Sequence, residues 1–147
     1  MKKIEWKTGR GIQGDNQVSY IAKSVTYDDY GVCMFVGRET DNPTPFDFLY
    51  ILLLDIDPAK EVSLSFQKRG RKLVEMAFKV QPYGNGEMEL MLPNIITFQN
   101  STDTVNLFQA HINSDVIVFG YTTKDGTMKE FRFSLAGFNE TYLEQFI

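Results

Sequence analysis

Turn-forming residues recur roughly every eight to twelve residues along this chain, and this spacing constrains the fold more than any other feature of the sequence. Between the turns lie short segments of alternating apolar and polar residues, of which residues 62–67 (VSLSFQ) are the clearest. Alternation indicates a strand with one buried face, because successive side chains of a strand point to opposite faces of its sheet. We therefore predict an all-β fold, a β-sandwich of about seven to nine mostly antiparallel strands, formed as a single domain over residues 1–147.

The composition agrees with a folded, sheet-rich domain. At 147 residues the chain is long enough for one hydrophobic core and short for two. Hydrophobic residues make up 43% of it, which is ordinary for a globular protein. The 12 phenylalanines and 7 tyrosines favour sheet, because aromatic side chains pack well on a pleated surface.

Charge and cysteine content bear on partners and compartment. Nucleic-acid-binding proteins usually carry a basic excess, so the net charge of −4 predicts no nucleic-acid partner. The longest apolar run, residues 48–54, is about a third of a membrane span, so no membrane-spanning segment is expected. A lone cysteine suits a reducing compartment. The chain as written predicts a cytoplasmic protein, or a periplasmic or secreted one if Met1 replaces a removed signal peptide.

One or two short helices are expected near the C-terminus. Ser101 or Asp103 is predicted to cap the first of them, since a side-chain oxygen there accepts a backbone amide hydrogen bond. This helix is expected to end near Asn113. A second amphipathic turn or helix is predicted over residues 139–146.

The strongest hairpin signal of the sequence lies between these helices. Residues 116–122 and 129–135 read as strands, and Asp125-Gly126 lies between them. Such a pair predicts a tight hairpin with a primed turn, because glycine tolerates the positive φ that a primed turn needs.

The N-terminal segments are read in the same way. Residues 4–7 are predicted to form a first strand, which a turn at residues 9–11 (GRG) would end. In residues 18–23 the alternation places Lys23 on the polar face of a second strand.

The candidates for nucleophilic catalysis are few. Cys33 lies among apolar residues of a predicted strand, where a thiol is usually inert. His111, the only histidine, lies near the end of the first helix, where it would cap carbonyls or face water. No local signature joins the two residues, so we predict no catalytic site, no cofactor and no enzyme activity.

Two carboxylates form a weak candidate metal site. Asp55 and Asp57 would project from one face of a strand and could together bind a divalent cation. Acidic residues are also common where a strand meets a turn, as here before Pro58. The prediction is therefore no metal site, with this pair as the only candidate.

Residues 68–72 (KRGRK) form the sharpest charge cluster of the sequence. They are predicted to form a hairpin turn, in which a solvated basic tip is the simpler interpretation and contact with a phosphate or an acidic partner the alternative. Tyrosines in predicted turns are further candidates for contact. The possible partner contacts are Lys68, Arg69, Arg71, Tyr27, Tyr30 and Tyr83.

The C-terminal part of the chain contains a series of short segments in a characteristic order: residues 107–110 (LFQA), 113–115 (NSD), 116–122, 125–126 (DG) and 133–138 (FSLAGF). In this order the segments resemble the invasion-associated locus B family of bacterial envelope proteins. The resemblance covers about the last 40 residues, and Trp6 and Cys33 also match in position. The family usually carries a signal peptide and paired cysteines, and this sequence shows neither. The resemblance implies a β-sandwich fold and a non-enzymatic role in the envelope or in virulence.

Two hypotheses for function follow. The first is a non-catalytic protein-interaction module that resembles these envelope proteins. The alternative is a small acidic cytoplasmic inhibitor or immunity-type protein, which would neutralise a basic toxin or enzyme by complementary charge. Both predict another protein as the partner.

Overall fold

The computed structural model describes residues 6–13, 16–27, 30–39, 47–52, 54–84, 87–93, 95–97 and 104–140. Over these residues the prediction of an all-β, sandwich-like fold is confirmed. The described residues form twelve strands, and nine of these have six residues or more. The predicted number of about seven to nine therefore matches the long strands, and the sequence pattern missed short ones.

The elements are numbered in chain order. They are β1 (Lys7–Gln13), β2 (Asn16–Tyr27), β3 (Tyr30–Glu39), β4 (Asp47–Leu52), β5 (Val62–Lys68), β6 (Arg71–Phe78), β7 (Gln81–Gly84), β8 (Glu87–Leu92), β9 (Ile95–Thr97), β10 (Thr104–Asn106), α1 (Leu107–Asn113), β11 (Val116–Thr122) and β12 (Met128–Ser134).

The strands form two main sheets in which every described pairing is antiparallel. The larger sheet has the order β1-β2-β3-β4-β8-β7, and the smaller has the order β12-β11-β5-β6. A separate two-stranded sheet joins β10 and β9. The smaller sheet brings the C-terminal hairpin beside β5, where Phe119 lies opposite Leu64.

The core lies where the inner faces of the two main sheets meet. In β5 the alternation of the sequence is realised, with Val62, Leu64 and Phe66 fully buried. The ring of Tyr50 in the larger sheet packs edge-on against Phe119 of the smaller one, at a centroid distance of 5.6 Å. Burial of these large side chains is the main source of stability, at roughly 1.5–3 kcal/mol for each.

The described helical segments are short. Asn106 caps α1, since its side-chain oxygen accepts a hydrogen bond from the Gln109 amide. The prediction of a cap at Ser101 or Asp103 is therefore wrong, although the helix does end at Asn113. Residues 138–140 form a further helical turn. None of the helices in the described ranges has the length and apolar character needed to cross a membrane.

Trp6 joins the start of the described chain to its end. Its ring packs edge-on against Phe133 and Phe138, and its indole N–H donates to the Ala136 carbonyl at 2.9 Å. Gly137 has a φ of 88°, and a Cβ there would lie 3.3 Å from the indole ring. Packing against Trp6 therefore explains the glycine between two apolar residues in segment 133–138.

Three local predictions are corrected. Residues 9–11 lie inside β1, which runs from Lys7 to Gln13 and pairs with β2, so they do not form a turn. Lys23 is buried and not on a solvated face. The loop after β11 has three residues, because Thr123 and Thr127 pair across it and only Gly126 has a positive φ. The hairpin is thus confirmed, whereas the primed turn predicted at Asp125-Gly126 is wrong.

Candidate functional site

The tip of the β5–β6 hairpin is the candidate functional site, and we call it the basic tip (residues 68–72). Lys68 and Arg71 form the last cross-strand pair, so Arg69 and Gly70 alone make the turn. Their φ angles are 52° and 80°, as in a type I′ turn, whose twist matches that of the two strands.

Arg69 occupies its turn position at a local energetic cost. Among the described residues it is the only non-glycine residue with a positive φ. This conformation costs an ordinary L-residue roughly 1–2 kcal/mol, and asparagine is the residue that type I′ turns prefer there. Arginine is thus unfavourable for the turn itself. Residues with strained backbone angles concentrate at functional sites.

Asp115 holds the basic tip against the smaller sheet. Its carboxylate accepts a hydrogen bond from the Arg69 amide at 3.0 Å, and its own amide donates to the Gln67 carbonyl at 2.9 Å. Its carbonyl accepts from the Leu135 amide at 2.9 Å. The backbone of the tip is therefore tied to both strands of the C-terminal hairpin, which pre-organises the exposed side chains.

The four cations of the basic tip point into solvent. Lys68, Arg69, Arg71 and Lys72 are all exposed. Lys72 pairs with Glu75 at 2.9 Å, and this is the only ion pair that the described residues form at the tip. Both side chains of that pair are more than half exposed, so it contributes at most about 1 kcal/mol. Among the described residues, Lys68, Arg69 and Arg71 form no ion pair, on a chain of net charge −4.

His111 lies in the core and does not face water. Its Nδ1 is 2.7 Å from the Leu107 carbonyl oxygen, and its Nε2 is 3.1 Å from the Tyr50 hydroxyl. A carbonyl oxygen can only accept, so Nδ1 carries the proton and donates it, and Nε2 accepts from the Tyr50 hydroxyl. The imidazole also stacks on the ring of Phe48, at a centroid distance of 4.3 Å.

Burial keeps both members of this pair neutral. It lowers the pKa of His111 to about 3, an effect that the hydrogen bond to Leu107 opposes only in part. Burial likewise raises the pKa of Tyr50 well above its ordinary value. The imidazole is buried and enclosed by aromatic rings, so it packs as part of the core.

The candidate metal pair, Asp55 and Asp57, lies in an irregular segment of the chain. Residues 54–57 are irregular, because β4 ends at Leu52, so the strand that would align Asp55 with Asp57 is absent from this part of the described chain. Asp55 is exposed, whereas a carboxylate oxygen of Asp57 accepts from the Ala59 amide at 3.0 Å. Nowhere in the described ranges do three histidine, cysteine or acidic residues come close enough to hold a metal ion.

The remaining predicted contacts are placed only by their backbone. Tyr27 and Tyr30 face each other at the ends of β2 and β3, and Tyr83 lies in β7. Cys33 lies in β3 opposite Ser24 and Ile51. The side chains of these four residues lie outside what the structure describes, so their proposed roles stay predictions.

A trough of about 640 Å³ crosses the outer face of the smaller sheet. Small residues make its floor, since Gly120 lies opposite Ser63 and Ser63 lies opposite Ala77. Glu61 and Glu130 also line it. Carboxylates, Lys129 and the exposed Met128 together do not select one chemical class of ligand, so the trough is secondary to the basic tip.

Sequence reasoning found the cations of the basic tip but missed Asp115, which holds them in place. Nothing in the local sequence links Asp115 to Arg69, which is 46 residues away. Comparisons of the chain with protein-family models, curated proteins and solved structures found no match.

Proposed function

We propose that this protein is a non-catalytic protein-interaction module and that its basic tip contacts an acidic segment of a partner protein. The strained conformation of Arg69 is the observation that carries the proposal. Asparagine or glycine would stabilise the turn better, so the arginine side chain serves a purpose other than folding.

The chemistry of the basic tip fits such a partner. A guanidinium group can bind a carboxylate through two parallel hydrogen bonds, and the lysines beside it add attraction without strict geometry. The turn is already ordered by Asp115, so binding would order little further backbone. The enclosed position of His111 supports the non-catalytic part of the proposal, since the chain has no other histidine.

The test compares two variants of exposed turn residues. Arg69→Asn removes the charge and creates an Asn-Gly turn, and we expect it to weaken partner binding several-fold. We also expect it to raise the free energy of unfolding by about 1 kcal/mol. Lys124→Asn in the other hairpin loop is the matched control, because Lys124 is exposed too.

The measurements are affinity capture from the source organism with mass spectrometry and urea denaturation of each variant. The proposal predicts an acidic protein that the wild-type protein and Lys124→Asn capture and Arg69→Asn does not. Capture that Arg69→Asn leaves unchanged would contradict it, as would recovery of no specific partner. A basic partner would instead favour the inhibitor or immunity-type alternative.

The resemblance to the invasion-associated locus B family adds a proposed setting. It supports an envelope or virulence-associated role, in which a surface-exposed basic tip would face other envelope proteins. The compartment follows from this proposal and is tested separately, by fractionating cells that express the protein from its native gene.

A further inference from the structure

The outer edge of β12 carries backbone groups that point away from the sheet. β12 is the terminal strand of the smaller sheet, and it pairs with β11 without a bulge. The Thr123 amide donates to the Thr127 carbonyl at one end of this ladder, and the Leu135 amide donates to the Asp115 carbonyl at the other. Hydrogen-bonded pairs alternate in an antiparallel ladder. The backbone N–H and C=O groups of the odd-numbered residues of β12 therefore point towards β11, and those of the even-numbered residues point away from the sheet.

One end of this outer edge is already covered. The Ser134 carbonyl accepts a hydrogen bond from the Lys23 ammonium, and the Ala136 carbonyl accepts one from the Trp6 indole. Both acceptors are even-numbered, as the alternation requires. Within the described part of the chain, no strand pairs with the outer edge at Met128, Glu130 and Arg132. An edge with which no described strand pairs is a template for pairing with another strand.

From this edge we propose that two copies of the chain pair through β12 into a two-fold symmetric dimer. The two strands run antiparallel with Phe131 on the symmetry axis and pair through Glu130 and Arg132. The ladder ends there, because the next acceptor, the Ser134 carbonyl, is already bonded to Lys23. The dimer forms at the β12 edge of the smaller sheet, whereas the basic tip connects β5 to β6 at the opposite edge. The inference is therefore independent of the proposed function.

Charge selects both the partner and the register. Only registers that place even-numbered residues opposite each other can form the ladder. With Phe131 on the axis, Glu130 of each copy lies opposite Arg132 of the other, which gives two cross-strand ion pairs. A shift of the axis to position 130 would place Glu130 opposite Glu130, and a shift to position 132 would oppose the two arginines. Among the registers centred on residues 130, 131 and 132, only the one with Phe131 on the axis therefore pairs opposite charges.

On the axis Phe131 would lie opposite its own copy as a non-hydrogen-bonded pair. It is already buried within each copy, so the charged residues on the outer face determine the register. Glu130 and Arg132 are exposed, so their side chains need little rearrangement to pair with those of a second copy.

The test is a charge swap read out by sedimentation velocity over a wide range of protein concentrations. We expect a concentration-dependent dimer for the wild-type protein. Glu130→Arg and Arg132→Glu should each weaken self-association at least tenfold, because each places like charges at both sites. The double variant Glu130→Arg/Arg132→Glu should restore the dimer. Glu75→Arg on β6, the opposite edge strand, is the matched control and should dimerise like the wild-type protein.

Hydrogen exchange gives a second readout, with circular dichroism to check that each variant is folded. In the wild-type protein the amides of Glu130 and Arg132 should become protected as concentration rises, since dimerisation engages them. A wild-type protein that stays monomeric would overturn the proposal. So would a dimer that the single variants leave intact, or a double variant that stays monomeric while folded.

Discussion

Single residues of this protein show how burial decides what a reactive side chain can do. The hydrogen bonds of His111 to Tyr50 and to the Leu107 carbonyl account for both ring nitrogens. The chain therefore uses its only imidazole as a polar component of an aromatic core. Acid should disturb this arrangement, because a protonated imidazole can no longer accept from the Tyr50 hydroxyl.

The pKa of His111 predicts the acid dependence of stability. The folded state holds this pKa at about 3, below the ordinary value of 6.5, so the unfolded chain binds the proton more readily between these values. The contribution of His111 is complete above pH 6.5 and is lost as the pH falls towards 3. We expect this loss to be about 1.4 kcal/mol for each pH unit within that window.

Urea denaturation at several pH values checks this expectation against the double variant Tyr50→Phe/His111→Phe. The variant keeps the aromatic packing and removes both hydrogen-bonding partners, a replacement that is often nearly neutral. Its free energy of unfolding should fall less steeply with acid than that of the wild-type protein. Parallel curves for the two proteins would show that His111 does not titrate in this window.

At the scale of elements, the turns of the two hairpins of the smaller sheet do not follow the preferences of their residues. Asp125-Gly126 has the residues of a primed turn, yet the Asp125 carboxylate accepts from the Thr127 amide and the Thr123 hydroxyl, which closes a three-residue loop. Arg69-Gly70 lacks the usual asparagine and nevertheless forms the primed turn. Contacts of side chains with the backbone outweigh the intrinsic preference in both places.

The pairing of β11 with β5 depends on a small residue at position 120. A Cβ on Gly120 would lie 2.5 Å from the Ser63 hydroxyl oxygen, and the two residues face each other across the strands. Gly120→Ala should therefore destabilise the protein by about 1–3 kcal/mol. The same Cβ would lie 3.8 Å from the Ser63 Cβ, which is an ordinary contact.

This difference allows a double-mutant cycle. Ser63→Ala removes the clashing oxygen, so the double variant Gly120→Ala/Ser63→Ala should recover most of the stability that Gly120→Ala loses. Thermal and urea denaturation of the four proteins would measure the coupling. Equal losses in the single and double variants would mean that the clash with Ser63 is not the cause.

At the scale of the whole molecule, Lys23 connects the two main sheets. It lies in β2 of the larger sheet, and its ammonium donates to the Ser134 carbonyl of β12 in the smaller one. The same group lies 4.9 Å from the Phe133 ring centroid and 5.6 Å from that of Trp6. Ring faces attract a cation and offset part of the cost of burying it.

The part of the free-energy cost of burying the Lys23 charge that is not offset predicts a stabilising substitution. Burial lowers the pKa of Lys23 from 10.5 to about 8, so stability rises as the pH increases from 8 to 10.5 and the folded state is relieved of the charge. Lys23→Met keeps the length of the side chain without the charge. We expect it to raise the free energy of unfolding at pH 7 on the order of 2 kcal/mol, less the hydrogen bond that it removes.

The same substitution should lose its advantage in alkali. Above about pH 10.5 the wild-type lysine is neutral in both states, so the two proteins should approach equal stability. Denaturation at neutral and alkaline pH measures the difference. A variant that is less stable at pH 7 would show that the contacts of Lys23 with Ser134 and the two rings outweigh its desolvation.

The sequence by itself determined the class of the fold and the place of the basic tip. Alternation in residues 62–67 fits a strand with one face in the core, because a shift by one residue would expose Val62, Leu64 and Phe66. A run of four cations within five residues is rarely buried, so a solvated turn at 68–72 was predictable. The end of α1 at Asn113 was predictable because the apolar residues at helical spacing stop at Ile112.

The tertiary structure alone decided the role of each polar side chain that lies against another element. Lys23 is buried because β12 and Trp6 cover it, and His111 is neutral because Phe48 and Tyr50 enclose it. The strain at Arg69 likewise depends on the register of β5 and β6. These features rest on contacts between residues far apart in sequence, which local patterns do not encode.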